Sequence, residues 1–382
     1  MGRRRFLFLE PSKVATQHIY LIEGFLRAIL SSHALTEKWE LRLYASRSTF
    51  ANLPKDLASA VRYTPIAVVN PEKRLLVRKS LMEFFQVLRA VLRLRRGDVL
   101  FISCLIPTAL WLLEFVNRVL GLRGICVVMH DELEGIFREG ETFRTIGYWG
   151  KRWLSSRTVS SRIRPIVLDD FIKERLELKF PEKLGNAGIA VIHYPIVPLS
   201  TSQEVGGRAR ASACFVGYRT KSKSFDTFRL LALRHPDIDF LAIGGGRVEN
   251  VTSGAITPLA DKNSYLREIS KCTVAVYPYI AGYTCSLSAS ALDALAAGVQ
   301  IHAFDRPFFC GLAAYFGADI VTVSDSEEAL DRELSQLNAA AVENGWMKRI
   351  RRIGNSKYSV SAIRESFEHL LALEAAEGGS GS

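Results

Sequence analysis

The chain has 382 residues, is 48% hydrophobic and carries a formal charge of +11. That length and apolar content fit two folded domains with substantial cores and exclude a disordered chain. The six cysteines, at 104, 126, 214, 272, 285 and 310, form no CxxC pair, which excludes a disulfide scaffold or zinc framework and suits a reducing cytosol.

The opening "GRRRFLFLEP" is basic and then apolar, but its apolar run is too short for a signal peptide. Strands are predicted at 4–9, 40–46, 61–68, 98–104, 124–129 and 163–169, with helical patterns between them. The segment 70–97, "NPEKRLLVRKSLMEFFQVLRAVLRLRRG", reads as one helix, with Asn70 as N-cap, Pro71 at the first position and Gly97 beyond the end. Its periodicity predicts a core stripe of Val77, Leu81, Phe84, Leu88 and Val91. A second face carries Arg78, Met82, Phe85, Arg89, Arg93 and Arg96, a mixture that suits an anionic membrane surface. The longest apolar stretch, 99–116, contains Pro107 and Glu114. It is expected to be a strand followed by a buried helix over 107–121, not a membrane span.

Residues 181–210 are rich in Pro, Gly and Ser and read as a crossing between domains. The alternation then restarts, with strands predicted at 213–217, 239–243, 272–278, 299–304 and 318–323. The last periodic stretch, 359–374, puts Val360, Ile363, Phe367 and Leu370 on one helical face. The tail "GGSGS" (378–382) reads as a linker added for expression. The fold class is therefore α/β, with two doubly wound Rossmann-like domains facing a cleft. Residues 1–197 form the first and 198–356 the second, and the helix 357–376 is expected to return to the first. The charge follows this division. Residues 1–200 hold 31 Lys/Arg and 19 Asp/Glu, a net of +12, against 19 and 20, a net of −1, in the rest. The first half is expected to face an anionic partner.

Three segments of the second half carry chemistry. "GYRTKSKSFD" (217–226) follows a strand, with Gly217 for a tight turn and Arg219, Lys221 and Lys223 as cations for phosphate. "AIGGG" (242–246) ends the next strand, and its Gly244 and Gly245 let backbone approach a ligand. It is not a dinucleotide fingerprint, because position 249 is Glu. "YTCSLSASALDALAAG" (283–298) predicts a helix opening near Ser286, with Ser286, Ser290 and Asp293 on one face and apolar residues on the other. Its first turn makes an anion site to which Thr284, Ser286 and Ser288 add hydroxyls, and Asp293 can accept bonds from ribose. The same hydroxyls also suit plain helix capping. In the first half, "VVMHDELEG" (127–135) places His130 and Asp131 at a strand's carboxyl end, as a candidate base pair.

In order and spacing, residues 211–325 resemble the nucleotide-sugar glycosyltransferases of the GT-B fold, most closely the GT4-like group. The matching positions are Gly217, Lys223, Ser224 and Asp226, then Gly244 and Gly246, then "DALAAG" (293–298). The resemblance implies that Lys223 and Arg219 hold the donor diphosphate, that the 286–288 turn caps it, and that Asp293 binds the ribose. It further implies that His130 touches the donor sugar. The sequence departs from the family where its retaining members carry an acid eight residues before the Asp293 position, since Cys285 stands there. Some inverting members have Ser/Thr-rich turns at this place. The expected activity is transfer of a sugar from a nucleotide-sugar to an acceptor hydroxyl, without metal or other cofactor. The expected acceptor is a lipid-linked saccharide at the cytoplasmic face of the membrane. A GT-B-like sugar-nucleotide epimerase and a non-catalytic nucleic-acid-binding protein are the rival readings, although no nucleic-acid-binding module is recognisable.

Overall fold

The computed structural model describes residues 3–13, 18–68, 76–121, 123–130, 133–138, 140, 142, 145–157, 162–181, 188–199, 210–219, 221–244, 252–254, 262–280, 283–337 and 348–379. The chain divides into two units, Met1–Pro195 with Val360–Ser382, and Ile196–Ser359.

In the first unit seven parallel strands follow the order β3-β2-β1-β4-β5-β6-β7. They are β1 (Arg4–Leu9), β2 (Trp39–Ala45), β3 (Arg62–Pro65), β4 (Val99–Ile102), β5 (Ile125–Val128), β6 (Ile163–Val167) and β7 (Ala190–Val191). Helices α1 (Ile19–Leu30), α2 (His33–Lys38), α3 (Arg47–Ala51), α4 (Lys55–Ala60), α5 (Leu76–Val91), α6 (Pro107–Leu120), α7 (Leu133–Phe137), α8 (Ile146–Ser156) and α9 (Asp170–Lys179) join them. Strands covered on both faces need continuous apolar runs, and Phe6–Leu9 and Leu100–Ile102 are fully buried. The C-terminal helix Val360–Gly379 packs on this unit. The Phe367 ring lies 5.3 Å from those of both Phe25 and Phe101, and Arg164 Nε donates to Glu374 Oε1 at 2.6 Å.

The basic helix departs from its expected length and phase. It spans 76–91, and Arg93 and Arg96 lie beyond it in a turn tied by Arg95 N–H donating to Asp98 Oδ2 at 2.7 Å. The expected caps at 70–71 lie outside the described residues. Val77 and Leu81 are exposed, whereas Ser80, Glu83, Val87, Ala90 and Val91 are buried. Polar groups on the inner face set this phase. Ser80 Oγ bonds Thr108 Oγ1, and Glu83 accepts from Ser12 Oγ at 2.9 Å and Ile106 N–H at 2.8 Å.

Burial pushes the Glu83 carboxyl up to about 7, against the pull of Lys79. A carboxyl raised on folding contributes stability that is present below its ordinary value of 4.5 and is lost as pH rises through about 7. Urea unfolding at pH 5 and pH 8 should therefore show a loss, on the order of 2 kcal/mol, that Glu83→Gln removes. An unchanged pH dependence in the variant would assign the loss to other groups.

The second unit holds six parallel strands in the order β10-β9-β8-β11-β12-β13. They are β8 (Ser212–Val216), β9 (Asp239–Ile243), β10 (Thr252–Gly254), β11 (Val274–Tyr277), β12 (Gln300–Phe304) and β13 (Val321–Ser324). The helices are α10 (Phe225–Arg234), α11 (Lys262–Ser270), α12 (Ala289–Ala296), α13 (Pro307–Phe316) and α14 (Glu327–Ser335). The strand order reverses between β1 and β4 in the first unit and between β8 and β11 in the second. In such sheets the carboxyl ends of the strands at this point form the ligand crevice.

Candidate active site

At the reversal in the second unit, two glycines make room. Gly217 follows β8 with φ 104° and Gly244 follows β9 with φ 95°. Both values suit only glycine without strain. A Cβ on Gly244 would lie 3.3 Å from Gly217 Cα, and one on Gly217 would lie 3.3 Å from both Lys223 Nζ and Ser290 Oγ. The bare backbone thus leaves space beside an ammonium and a hydroxyl. Lys223 ends a single 3₁₀ turn (Lys221–Lys223), with its Nζ 5.3 Å from the centre of the Tyr279 ring. The Arg219 guanidinium lies 4.7 Å from the centre of the Phe225 ring, and burial lowers its pKa.

Helix α12 opens on the same space. It begins at Ala289, three residues later than its periodicity predicts, and Ser288 is its N-cap. The Ser288 hydroxyl does not cap the helix. It lies 3.1 Å from Ser290 Oγ and 3.3 Å from the Tyr279 hydroxyl. The Tyr277 hydroxyl donates to the Ser290 carbonyl at 2.7 Å. Arg306 fixes the loop after β11, donating to the Tyr279 and Ile280 carbonyls at 2.8 and 3.0 Å. Thr284 and Ser286 are half-buried in the turn before the helix, and Cys285 is fully buried. Asp293 is buried on α12, and burial pushes its carboxyl up to about 6, with Lys262 pulling the other way. Gly245 lies outside the described residues. An ammonium, a cluster of serine and tyrosine hydroxyls and a helix N-terminus thus meet at glycine backbone, an arrangement suited to an anion.

The first unit carries a second cluster at its own reversal. Glu10, fully buried directly after β1, accepts from Ser103 Oγ at 2.7 Å, Ser12 N–H at 3.1 Å and Lys13 N–H at 3.0 Å. Its other partner is His18, whose Nδ1 lies 3.3 Å from Glu10 Oε2. Burial works to raise the Glu10 pKa, but the bonds from His18, Ser103 and Ser12 hold it below the usual range. Burial lowers the His18 pKa despite Glu10, so the ring is neutral at pH 7. A carboxylate at Nδ1 holds the proton there and leaves Nε2 as the basic nitrogen. His130, just past β5, stacks on His18 at 4.6 Å. Asp131 lies outside the described residues.

Sequence reading missed Glu10, His18 and Tyr279. The available signal was a carboxylate directly after the apolar run Phe6–Leu9, a costly place for a charge without partners. Among the described residues, Asp169, Asp170 and His193 bring three ligand atoms within 4.8 Å of one another. The fold accounts for them, because Asp169 caps α9 and His193 Nε2 bonds Asp170 Oδ2 at 3.0 Å.

No protein-family model matches the sequence, and a search of curated proteins finds no match. Solved structures do match. The N-terminal domain of Candida albicans trehalose-6-phosphate phosphatase gives a TM-score of 0.64 at 10% identity, covering 98% of this chain and 97% of that one. The α,α-trehalose 6-phosphate synthase of Burkholderia multivorans gives 0.64 at 10% identity, covering 98% and 100%. Anabaena HepE in complex with UDP gives 0.61 at 12% identity, covering 97% and 100%. Identities this low show the fold alone, which is the GT-B fold of paired Rossmann-like sheets.

Proposed function

We propose that the protein is a glycosyltransferase that moves a sugar from a nucleotide-sugar to an acceptor hydroxyl. The observation that carries this reading is Lys223 Nζ held beside Gly217 and Ser290 at the opening of α12. In the proposal, Lys223, Arg219, the 284–288 turn and the first N–H groups of α12 bind the diphosphate. They stabilise the charge that develops as it leaves, so no metal is required. Gly244 and Gly245 let the backbone approach the ligand. The first unit takes the acceptor. His18, oriented by Glu10, removes the hydroxyl proton, and His130 supports it by stacking. With the buried Cys285 thiol where retaining relatives have an acid, a single displacement that inverts the anomeric centre fits the residues better than retention. The HepE structure that shares the fold holds UDP, which favours a nucleotide-sugar over nucleic acid as the ligand. A thermal-shift screen across UDP-, GDP-, ADP- and TDP-sugars tests the reading, since a ligand of the native state raises the melting temperature. A flat response to all four would sink it.

Asp293 gives this reading a pH signature. Its carboxylate accepts charge-assisted bonds from both ribose hydroxyls, and protonation removes the charge and turns one of its two oxygens into a donor. Donor affinity should therefore fall as pH drops through about 6, by roughly tenfold between pH 7.5 and pH 5. The diphosphate of a nucleotide-sugar does not titrate there. Calorimetry should find weaker and pH-independent binding for Asp293→Asn. A flat profile in the wild type would make Asp293 structural.

The acceptor is proposed to be a lipid-linked saccharide used in assembling cell-surface polysaccharide or glycolipid. The protein would dock peripherally, at the cytoplasmic face of an anionic membrane, through α5 and the turn after it. Arg78, Phe85, Arg89, Arg93 and Arg96 are exposed there and Met82 is half-buried, which supports this reading. Among the described residues no helix is long and apolar enough to cross a membrane.

A further inference from the structure

Helix α5 does not stand alone. It packs on α6, and α6 packs on α8. All three leave large apolar side chains in solvent. Phe85 on α5 is 58% exposed, Phe115 and Val119 on α6 are 63% and 76% exposed, and Ile146 opens α8 at 38%. Apolar groups repeated over neighbouring helices mark an interaction surface, unlike single ones.

Charge identifies the partner. The sequences of α5, α6 and α8 contain only two acids, Glu83 and Glu114, and both are buried. Glu114 lies 3.8 Å from the buried guanidinium of Arg157. The exposed charges on these helices are therefore all positive, with Arg78 and Arg89 on α5, Arg118 on α6 and Arg152 on α8. A protein partner of mixed surface charge gives no reason to remove every exposed acid from three helices. A uniformly anionic, apolar-cored surface does.

Between α6 and α8 lies a cavity of about 370 Å³, lined by Trp111, Glu114, Phe115, Arg118, Arg152 and Ser155 among others; the Glu114 carboxylate in this lining is engaged by Trp153 Nε1–H at 3.3 Å and lies 3.8 Å from Arg157. Arg118 donates to the Ser156 carbonyl, and the Arg152 guanidinium lies 5.9 Å from the centre of the Trp111 ring. With Glu114 taken up by Trp153 and Arg157, the two arginines and the Ser155 hydroxyl around the indole suit the phosphate of a lipid whose acyl chains continue into an apolar layer.

We propose that α5, α6 and α8 together form the bilayer-docking face, and that the α6–α8 cavity takes the phosphate of an anionic lipid. This rests on the membrane docking proposed above and extends it to two further helices. Apolar insertion at Phe115 and Val119 would add to the attraction of the arginines.

The test is co-sedimentation of the full chain with phosphatidylcholine vesicles, with and without 30–40% phosphatidylglycerol (about this range gives a strongly negative surface). Wild type should prefer the anionic vesicles. Phe115→Glu/Val119→Glu on α6 and Arg152→Glu on α8 should each lower binding at least about fivefold, comparably to Arg89→Glu/Arg93→Glu. All these side chains are exposed, and unchanged circular dichroism would confirm that the variants fold. If only the Arg89/Arg93 variant loses binding, the single-helix reading stands and the three-helix face falls. If wild type ignores vesicles of both kinds, both fall, and the face serves a protein instead. Nucleotide-sugar binding should be unchanged in every variant, which separates this result from failure of the donor site.

Discussion

Lys223→Ala is expected to weaken binding of a nucleoside diphosphate by roughly 10- to 150-fold, the effect of losing about 1.5–3 kcal/mol of charge-assisted hydrogen bonding. The size follows from the setting. The half-buried Lys223 places its Nζ beside Gly217 and Ser290, over the face of Tyr279, where a bound phosphate would be partly shielded from solvent. Among the described residues Lys223 forms no ion pair, so its removal should strand no carboxylate among them, and folding should be unaffected. Arg219→Ala should cost less, because its guanidinium is already engaged by the Phe225 ring. Calorimetry with UDP and GDP gives the numbers directly. Equal affinity in wild type and Lys223→Ala would remove the phosphate from this turn, and with it the principal support for the donor site.

His18→Ala should lower turnover by about 10²- to 10⁴-fold while leaving donor affinity within a factor of two, the pattern of a lost general base. The ring is held neutral by burial and turned by Glu10, so its basic nitrogen is available at pH 7. Because burial lowers the His18 pKa from its ordinary 6.5, wild-type turnover should fall only on the acid side of that value. Glu10→Gln tests the orienting role. It keeps an acceptor for Ser103 and His18 but removes the charge that favours the imidazolium, so turnover should fall less than in His18→Ala and the acid limb should move lower still. Initial rates across pH 5–8 (about the range a histidine covers) with the donor found by the ligand screen supply both readings. Full activity in His18→Ala would leave His130 as the next candidate, and His18 as a packing residue.

Much of the fold was legible because parallel strands buried on both faces must be apolar along their whole length. Those runs stood out at β1, β4, β5 and β11. Strands β7 and β10 escaped because two and three residues are too few to show a pattern. The phase of α5 was misread for a different reason. Counting apolar residues placed Val77 and Leu81 inward, yet Ser80 and Glu83 take the inner positions because Thr108, Ser12 and the Ile106 N–H satisfy them. Periodicity detects hydrophobic burial and is blind to polar groups buried with partners. The same blindness hid Glu10 and His18. Glu10 is marked in sequence only by the apolar run before it, and its partner His18 has no such neighbour, so their meeting shows only in the fold. In the second unit, the approach of Lys223 to Gly217 was legible because a turn and the cation that follows it are local in sequence. Tyr279 was not, because its contacts to Ser288 and Ser290 are made only when the loop after β11 folds against α12.

The return of the C-terminal helix to the first sheet has a consequence for how the protein is made. The aromatic cluster of Phe6, Phe25 and Phe101 is closed by Phe367, so the second unit is inserted within the first rather than appended to it. A nascent chain leaving the ribosome presents β1 and α1 long before the helix that covers them. The inserted unit draws its sheet from one contiguous stretch of chain, so that sheet can pair while the earlier one still waits for its last layer. Contacts spanning nearly the whole chain are slow to form. The half synthesised first is thus the half completed last, and during that interval its exposed apolar face is the one most in need of a chaperone.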